Sequence, residues 1–334
     1  MNVRERFHKV MNFELVDRLP MVEWACWWDE TLEAWEKEGL VMPEAQDGLP
    51  AGDVLKRNMG LELMPDLHAE LVTAATPKPE HFGAPIISSL EEYENIKHTL
   101  YPEQPFDPET LKAYAKLQER GEIVFRLVID GFFWGPRVLL GIEPHLYAFY
   151  DEPELLHIIN QDLANYNMRV YQQVCEYFVP DFISISEDLS YNNGPMLSEG
   201  MFDEFLLPYY RQIIPPMKEK GTRIFIDSDG DVSSAITWFI RAGFEGVLPL
   251  ERQAGVDLEV LRKAYPKFLF LGRFDKMTMP KGEEAMRAEF ERLLPVMRQG
   301  GFIPSVDHQT PPGVSWENYQ IYLRLFREYV KKVN

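Results

Sequence analysis

The sequence predicts an α/β protein built as a single (β/α)8 barrel. Three observations point there. Eight short apolar runs alternate with segments of helical period, the pattern of parallel β/α units. The chain has 334 residues, enough for eight such units and some extra segments in one domain spanning 1–334. Neither GxGxxG nor GxxxxGKS/T follows an early strand, although a doubly wound nucleotide-binding sheet more often carries one.

In chain order, MVEWAC (21–26) reads as the first strand and DETLEAWEKEGL (29–40) as a helix. AELVTAAT (69–76) is the second strand. The proline-rich stretch 77–108 lacks a strand pattern and is expected as an excursion from the barrel. EIVFRLVI (122–129) is a strand ending at Asp130, and 153–178 has helical periodicity. DFISIS (181–186) runs into Glu187 and Asp188. RIFI (223–226) ends at Asp227, and GVLPL (246–250) ends at Glu251. KFLFLG (267–272) precedes Arg273 and Asp275, and GFIPSV (301–306) ends at Asp307 and His308. Helices fit between them at 198–220, 231–243, 256–264 and 281–299. A last helix, 316–332, has Ser315 as its N-cap.

Charge narrows the function classes. With 34 Lys and Arg against 53 Asp and Glu, the chain carries −19. It should repel a phosphate backbone and an anionic membrane, and no basic stripe offsets this. Nucleic acid and membrane are therefore excluded as expected partners. Cys26 and Cys175 are the only cysteines, so no disulfide framework is implied. No apolar run reaches the length of a membrane span. MNVRERFHKV lacks the apolar centre of a signal peptide, and a cytoplasmic protein is expected.

The polar residues at strand ends carry the functional signal. Glu187, Asp227, Glu251, Asp275, Asp307 and His308 each lie at or just past the C-terminal end of a predicted strand. In a barrel those ends meet on one face, which carries the active site. A single acidic strand end is more often a turn residue or a helix cap, and Asp231 reads as such a cap. In RIFIDSDGDVSSAI (223–236), Asp227 and Asp229 are two apart. If the chain stays extended they point the same way and Ser228 points opposite. Two such carboxylates share a proton, hold a cation, or form a solvated acidic turn. The stretch resembles the start of a calcium loop but fails that template, since position twelve is Trp238 where the loop needs Glu. His308 is either a structural histidine or a ligand. Trp24, Trp27 and Trp28 follow the first strand, and Phe132, Phe133 and Trp134 follow the third. They read as core or as a wall suited to a flat aromatic ligand.

RERFHKVMNFELVDRLPMVEW resembles the start of proteins of the uroporphyrinogen decarboxylase-like superfamily. SEDLSYNNGPMLSEGMFDEFLLPYYRQI, GFEGVLPLERQAGVDLEVLRKAY and GGFIPSVDHQTPPGVSWENY resemble later parts. The likeness spans nearly the whole chain and implies a (β/α)8 barrel. It also implies one of two chemistries: porphyrinogen decarboxylation without a cofactor, or zinc-dependent methyl transfer with a corrinoid protein. The decarboxylase branch carries an early R-Q-A-G-R motif that binds substrate carboxylates; here the region reads ACWWDETLEAW, without arginine. The methyltransferase branch often binds zinc through H-x-C after the fifth strand and a cysteine after the eighth. On that pattern the H-x-C positions are Asp227 and Asp229, and the later cysteine's place is taken by His308. Two carboxylates and an imidazole suit zinc or another divalent metal better than they suit thiol activation. Glu187 is a candidate fourth ligand.

Such oxygen-rich variants resemble the methyltransferases of O-demethylase systems. The resemblance thus implies a metal-dependent methyltransferase that moves a methyl group from a small methoxylated, preferably aromatic, compound to the cobalt of a separate corrinoid protein. Tyr191 and Glu187 are its catalytic candidates; Trp24, Trp27, Phe132 and Trp134 are its substrate-binding candidates; and Asp227, Asp229 and His308 are its metal ligands. The alternative is a cofactor-free, uroporphyrinogen decarboxylase-like decarboxylase. A third reading is a barrel that binds a ligand or corrinoid partner without chemistry. A homodimer is left open.

Overall fold

The computed structural model of the chain describes residues 1–25, 27–46 and 48–333. They fall into two units, each assembled from separate stretches of sequence. One comprises Asp66–Leu111 and Arg126–Glu245; the other comprises Met1–Pro65, Lys112–Phe125 and the residues from Gly246 onward.

The first unit is built on four parallel strands: β1 (Asp66–Ala69), β2 (Arg126–Asp130), β3 (Phe182–Ser186) and β4 (Arg223–Ser228). Their β-branched and aromatic runs suit a pleated, buried surface. Alternation sends Leu127, Ile129, Ile183, Ile185, Ile224 and Ile226 to one face, where all are fully buried. Each such side chain contributes roughly 1.5–3 kcal/mol by leaving water. Helices Pro153–Cys175 and Leu207–Glu219 pack on β2 and β4 respectively. The opposite face carries Val128 and Asp130, Ser184 and Ser186, and Phe225 and Asp227. Pro208 has no N–H to offer the carbonyl four residues back, and the turn before it, Phe202–Leu206, is wound as a π-helix.

The second unit carries β5 (Gly246–Pro249), β6 (Leu269–Phe274) and β7 (Phe302–Val306), also parallel. Helices Leu258–Ala264 and Glu283–Met297 follow β5 and β6, and Trp316–Tyr329 follows β7. Ser315 caps that last helix, its Oγ accepting from the Asn318 N–H at 3.2 Å. Behind β6 an aromatic layer forms, with Phe290 stacked on Tyr329 at 5.0 Å and on Tyr322 at 5.9 Å.

Three elements differ from the sequence-based expectation. Residues 21–25 form no regular strand; Trp27 makes a single parallel bridge to Thr310, and Cys26 lies outside the described residues. The expected strand 69–76 is displaced to Asp66–Ala69. Beyond it the hydroxyls of Thr73 and Thr76 both donate to the Thr99 carbonyl, at 2.8 and 2.9 Å. Side-chain bonding of this kind competes with a ladder. The excursion 77–108 holds a short helix, Leu90–Ile96, and a 3-10 turn, Lys97–Thr99. Finally, the helix expected from 231 begins at Ile236, because Asp231 Oδ1 accepts from Ser233 N–H at 2.9 Å and forms a local turn. Among the described residues no helix is long and apolar enough to cross a membrane.

Candidate functional site

The C-terminal ends of β1 to β4 put polar residues side by side. The register pairs Asp130 with Ser186 and Ser186 with Asp227. These three therefore form one row across neighbouring strands about 4.8 Å apart. Asp227 and Ser186 are half-buried, whereas Ser228, one residue on, is fully buried on the other face. The alternation expected for this stretch thus holds as far as Ser228. Asp229 lies just past the strand, where its N–H donates to Asp188 Oδ1 at 3.3 Å.

Gly230 explains the rest of the DSDGD turn. Its φ is +79°, and a Cβ there would come within 2.6 Å of Tyr191 Cα, so only glycine allows the approach. Tyr191 sits in a two-residue antiparallel ladder with Gly194, its carbonyl accepts from Asp231 N–H at 2.9 Å, and its side chain is 51% exposed. Asp188 is held at φ +43° at the end of β3, a conformation rare for a non-glycine residue. Arg137 Nη1 donates to the Asp188 carbonyl at 3.4 Å, and its guanidinium lies over the ring of half-buried Trp134 at 5.1 Å.

Glu187 requires a correction. It was expected as a catalytic residue and a candidate ligand, but it is completely buried. Its Oε1 accepts from Phe132 N–H at 2.7 Å and from the Tyr210 hydroxyl. Its Oε2 accepts from Phe133 N–H at 2.7 Å and Trp134 N–H at 3.0 Å. These donors open the helix Trp134–Leu140, so Glu187 acts as its capping carboxylate. Burial pushes the Glu187 carboxyl up to about 8, against the pull of the three backbone donors. Gly131 makes room for it, since a Cβ there would lie 2.1 Å from Glu187 Cδ.

Two of the four aromatic candidates are core. Phe132 is fully buried against Tyr209 and Tyr210, with ring centroids at 5.4 and 5.0 Å. Trp27 is 7% exposed and packs edge-on against Trp35 and Tyr319, both at 5.9 Å. Burial on this scale leaves neither ring a face for a ligand. Trp24 is half-buried with its indole N–H donating to the Val306 carbonyl at 2.6 Å; its unit is the second, as is that of half-buried His308. Asp307 is fully buried and accepts from Arg252 and Lys276 N–H at 3.1 and 3.3 Å. Burial raises its pKa. It joins two loops of the second unit and is closed to a ligand.

The sequence reading missed His68. It lies on β1, diagonal to Asp130 on the polar face, and its Nε2 is 2.8 Å from Asp130 Oδ1. Asp130 is buried, and its other oxygen accepts from Leu71 N–H at 2.9 Å. The imidazole is 35% exposed. Burial works against its charged form, but the bond to Asp130 and the charges of Asp130, Glu70 and Asp66 outweigh it, and the His68 pKa is raised. The alternation in Asp66-Leu67-His68-Ala69 was the available signal, hidden once the strand was placed three residues later. Glu23 was also missed as a titrating group. It is buried, accepts from Tyr322 Oη at 2.5 Å, Ser305 Oγ at 2.8 Å and Val306 N–H at 3.3 Å, and burial pushes it up to about 7.

Among the described residues no group of three or more His, Cys, Asp or Glu side chains is gathered to hold a metal ion. Of the donor residues expected for zinc, Asp227 and Asp229 belong to the first unit and His308 to the second.

A family model described as "Uroporphyrinogen decarboxylase (URO-D)" matches residues 136–329. Among solved structures, the chain is similar to a methyltransferase from Methanosarcina mazei, with 15% identity, 98% of this chain and 99% of that one covered, and a TM-score of 0.68. It is also similar to a putative vitamin-B12 independent methionine synthase from Listeria monocytogenes, with 14% identity, coverage of 96% and 98%, and a TM-score of 0.50. No curated protein matches the chain. At these identities the likenesses show the fold, and its class is α/β, the (β/α)8 type expected from the sequence.

Proposed function

The chain belongs to the uroporphyrinogen decarboxylase (URO-D) family, and from that premise we propose that it is a methyltransferase and not a decarboxylase. It transfers a methyl group from a small methoxylated compound, aromatic for preference, to the cobalt of a corrinoid carried by a separate protein. One observation carries the choice. At the strand ends of the first unit Asp227 stands in register with Ser186, and Asp188 and Asp229 lie just past those ends, the Asp229 N–H reaching Asp188 Oδ1 at 3.3 Å. A porphyrinogen bearing several carboxylates would meet like charge there, and residues 25–35, where the decarboxylase branch carries its arginine motif, hold no arginine. A neutral ether meets no such penalty. The shared fold with a protein named as a methyltransferase supports the same side.

An aryl methyl ether is inert because the departing phenolate is a poor leaving group, phenols having a pKa of about 10. The protein binds the ring, orients the methyl group outward, and relieves negative charge on the oxygen as the C–O bond breaks. Trp134 and Trp24 are the aromatic candidates left after Phe132 and Trp27 go to the core, and Tyr191 is the proton donor offered by the sequence. A divalent metal, zinc foremost, with Asp227, Asp229 and His308 as ligand candidates, remains a sequence-based part of the proposal.

The test is anaerobic. Purified protein is mixed with a reduced corrinoid protein and a panel of methoxybenzoates and methanol, and methylcobalt is followed by absorbance. Methylcobalt from an aromatic ether is the expected result. Methylcobalt from methanol alone would reject the substrate class. No methylcobalt, with carbon dioxide released from a porphyrinogen, would establish the decarboxylase alternative.

A further inference from the structure

We propose that His68, oriented by Asp130, is the general acid that protonates the departing oxygen of the methyl donor. The inference rests on the methyl-transfer reading above and names the group that completes it. Three features carry it. The pair lies at the C-terminal ends of adjacent parallel strands, on the polar face that also carries Ser186 and Asp227. Asp130 is buried and fixed at both oxygens, by Leu71 N–H at 2.9 Å and by His68 Nε2 at 2.8 Å. Its backbone is held as well, the Asp130 carbonyl accepting from Asn167 Nδ2 at 2.9 Å. His68, in contrast, is open to the surface over a third of its area. A buried, immobile carboxylate behind an accessible imidazole is the arrangement that sets a catalytic histidine's tautomer and direction.

The bond to Asp130 occupies Nε2 and leaves Nδ1 to act. The nearest carboxylate to Nδ1 is that of Glu70, 3.9 Å away and beyond hydrogen-bond distance. Asp66 and Glu70 on the same segment, Asp130 on β2 and Tyr166 on the covering helix are the titratable groups around the pair. The negative charge of the carboxylates favours the imidazolium over the neutral ring.

The ether C–O bond breaks and its electron pair leaves on oxygen. The methyl carbon bonds to cobalt(I) of the corrinoid partner, which supplies two electrons and becomes methylcobalt(III). The Nδ1 proton passes to the oxygen, giving a neutral phenol or alcohol. His68 is left neutral and regains a proton from solvent. An imidazolium suits this step, because a general acid works best with a pKa near the operating pH.

The experiment compares wild type, His68→Gln, Asp130→Asn and Tyr191→Phe with reduced corrinoid protein and two methyl ethers. One ether releases a weakly acidic phenol; the other releases a nitrophenol, whose anion needs no proton. His68→Gln should lower kcat about 10²- to 10⁴-fold with the first ether, and less than about tenfold with the second, which needs no acid. A leaving-group dependence that appears in Tyr191→Phe and is absent in His68→Gln would overturn the assignment in favour of the tyrosine. In Asp130→Asn the alkaline limb of the rate profile should move to lower pH, and the His68 titration seen by NMR should move with it. Equal slowing of both ethers by His68→Gln, or no slowing, would overturn the assignment while leaving methyl transfer intact. A wild-type protein inert toward every ether would overturn the methyl-transfer reading itself, and the acid with it.

Discussion

Replacing Glu23 by Gln should flatten the pH dependence of stability by a predictable amount. In the wild type the carboxyl is buried beside Tyr322 Oη, Ser305 Oγ and Val306 N–H. Burial dominates its titration and moves the pKa from 4.5 to about 7, with the three hydrogen bonds and the charge of Lys56 pulling the other way. The folded pKa thus lies above the unfolded one, so the native chain keeps a proton that the unfolded chain releases. The stability from this site is complete below about pH 4.5 and is lost as pH rises to about 7. The full loss is about 3 kcal/mol, from 1.36 kcal/mol per pH unit between the two values. The amide cannot titrate, and the Tyr322 and Ser305 hydroxyls can donate to it or accept from it, so the fold should survive. Urea unfolding of both proteins at a series of pH values gives the difference directly. Relative to the variant, the wild type should lose about 3 kcal/mol between about pH 4 and about pH 8. Parallel curves would refute the reasoning, because they would mean that the Glu23 carboxyl titrates alike in the folded and the unfolded chain.

Other expectations follow from the same geometry. Phe132→Ala should cost about 3–5 kcal/mol of stability, as for a large ring removed from a core, whereas Trp134→Ala should raise KM for an aromatic ether roughly three- to tenfold with little change in unfolding; the reverse outcome would exchange their roles. Elemental analysis should find about one divalent metal per wild-type chain and less in His308→Ala; equal, substoichiometric metal in both would remove the metal from the proposal. The purified protein should not convert uroporphyrinogen, since residues 25–35 hold no arginine, and coproporphyrinogen formed at an enzymatic rate would contradict this.

The strands at 182–186, 223–228, 269–274 and 302–306 were legible because alternation and β-branching are local signals. The placement of Asp227 at a strand end followed from the same pattern. The strand expected at 69–76 was misplaced because Val72 and the neighbouring threonines mimic a strand while bonding to residues 99 and 100. That error moved His68 out of its strand and hid its role. Glu187 was assigned to chemistry on position alone, and position does not tell whether a strand-end acid faces solvent or caps the helix beside it.

By itself the sequence determined the order of strands and helices, the acidic balance, and which residues stand at strand ends, since each depends on neighbours a few positions away. Only the tertiary structure decided their partners. His68 meets Asp130 across 62 residues, and Glu187 meets Phe132 across 55. Such pairs are set by the register of parallel strands and by which backbone donors a loop leaves unbonded, and no local pattern encodes either.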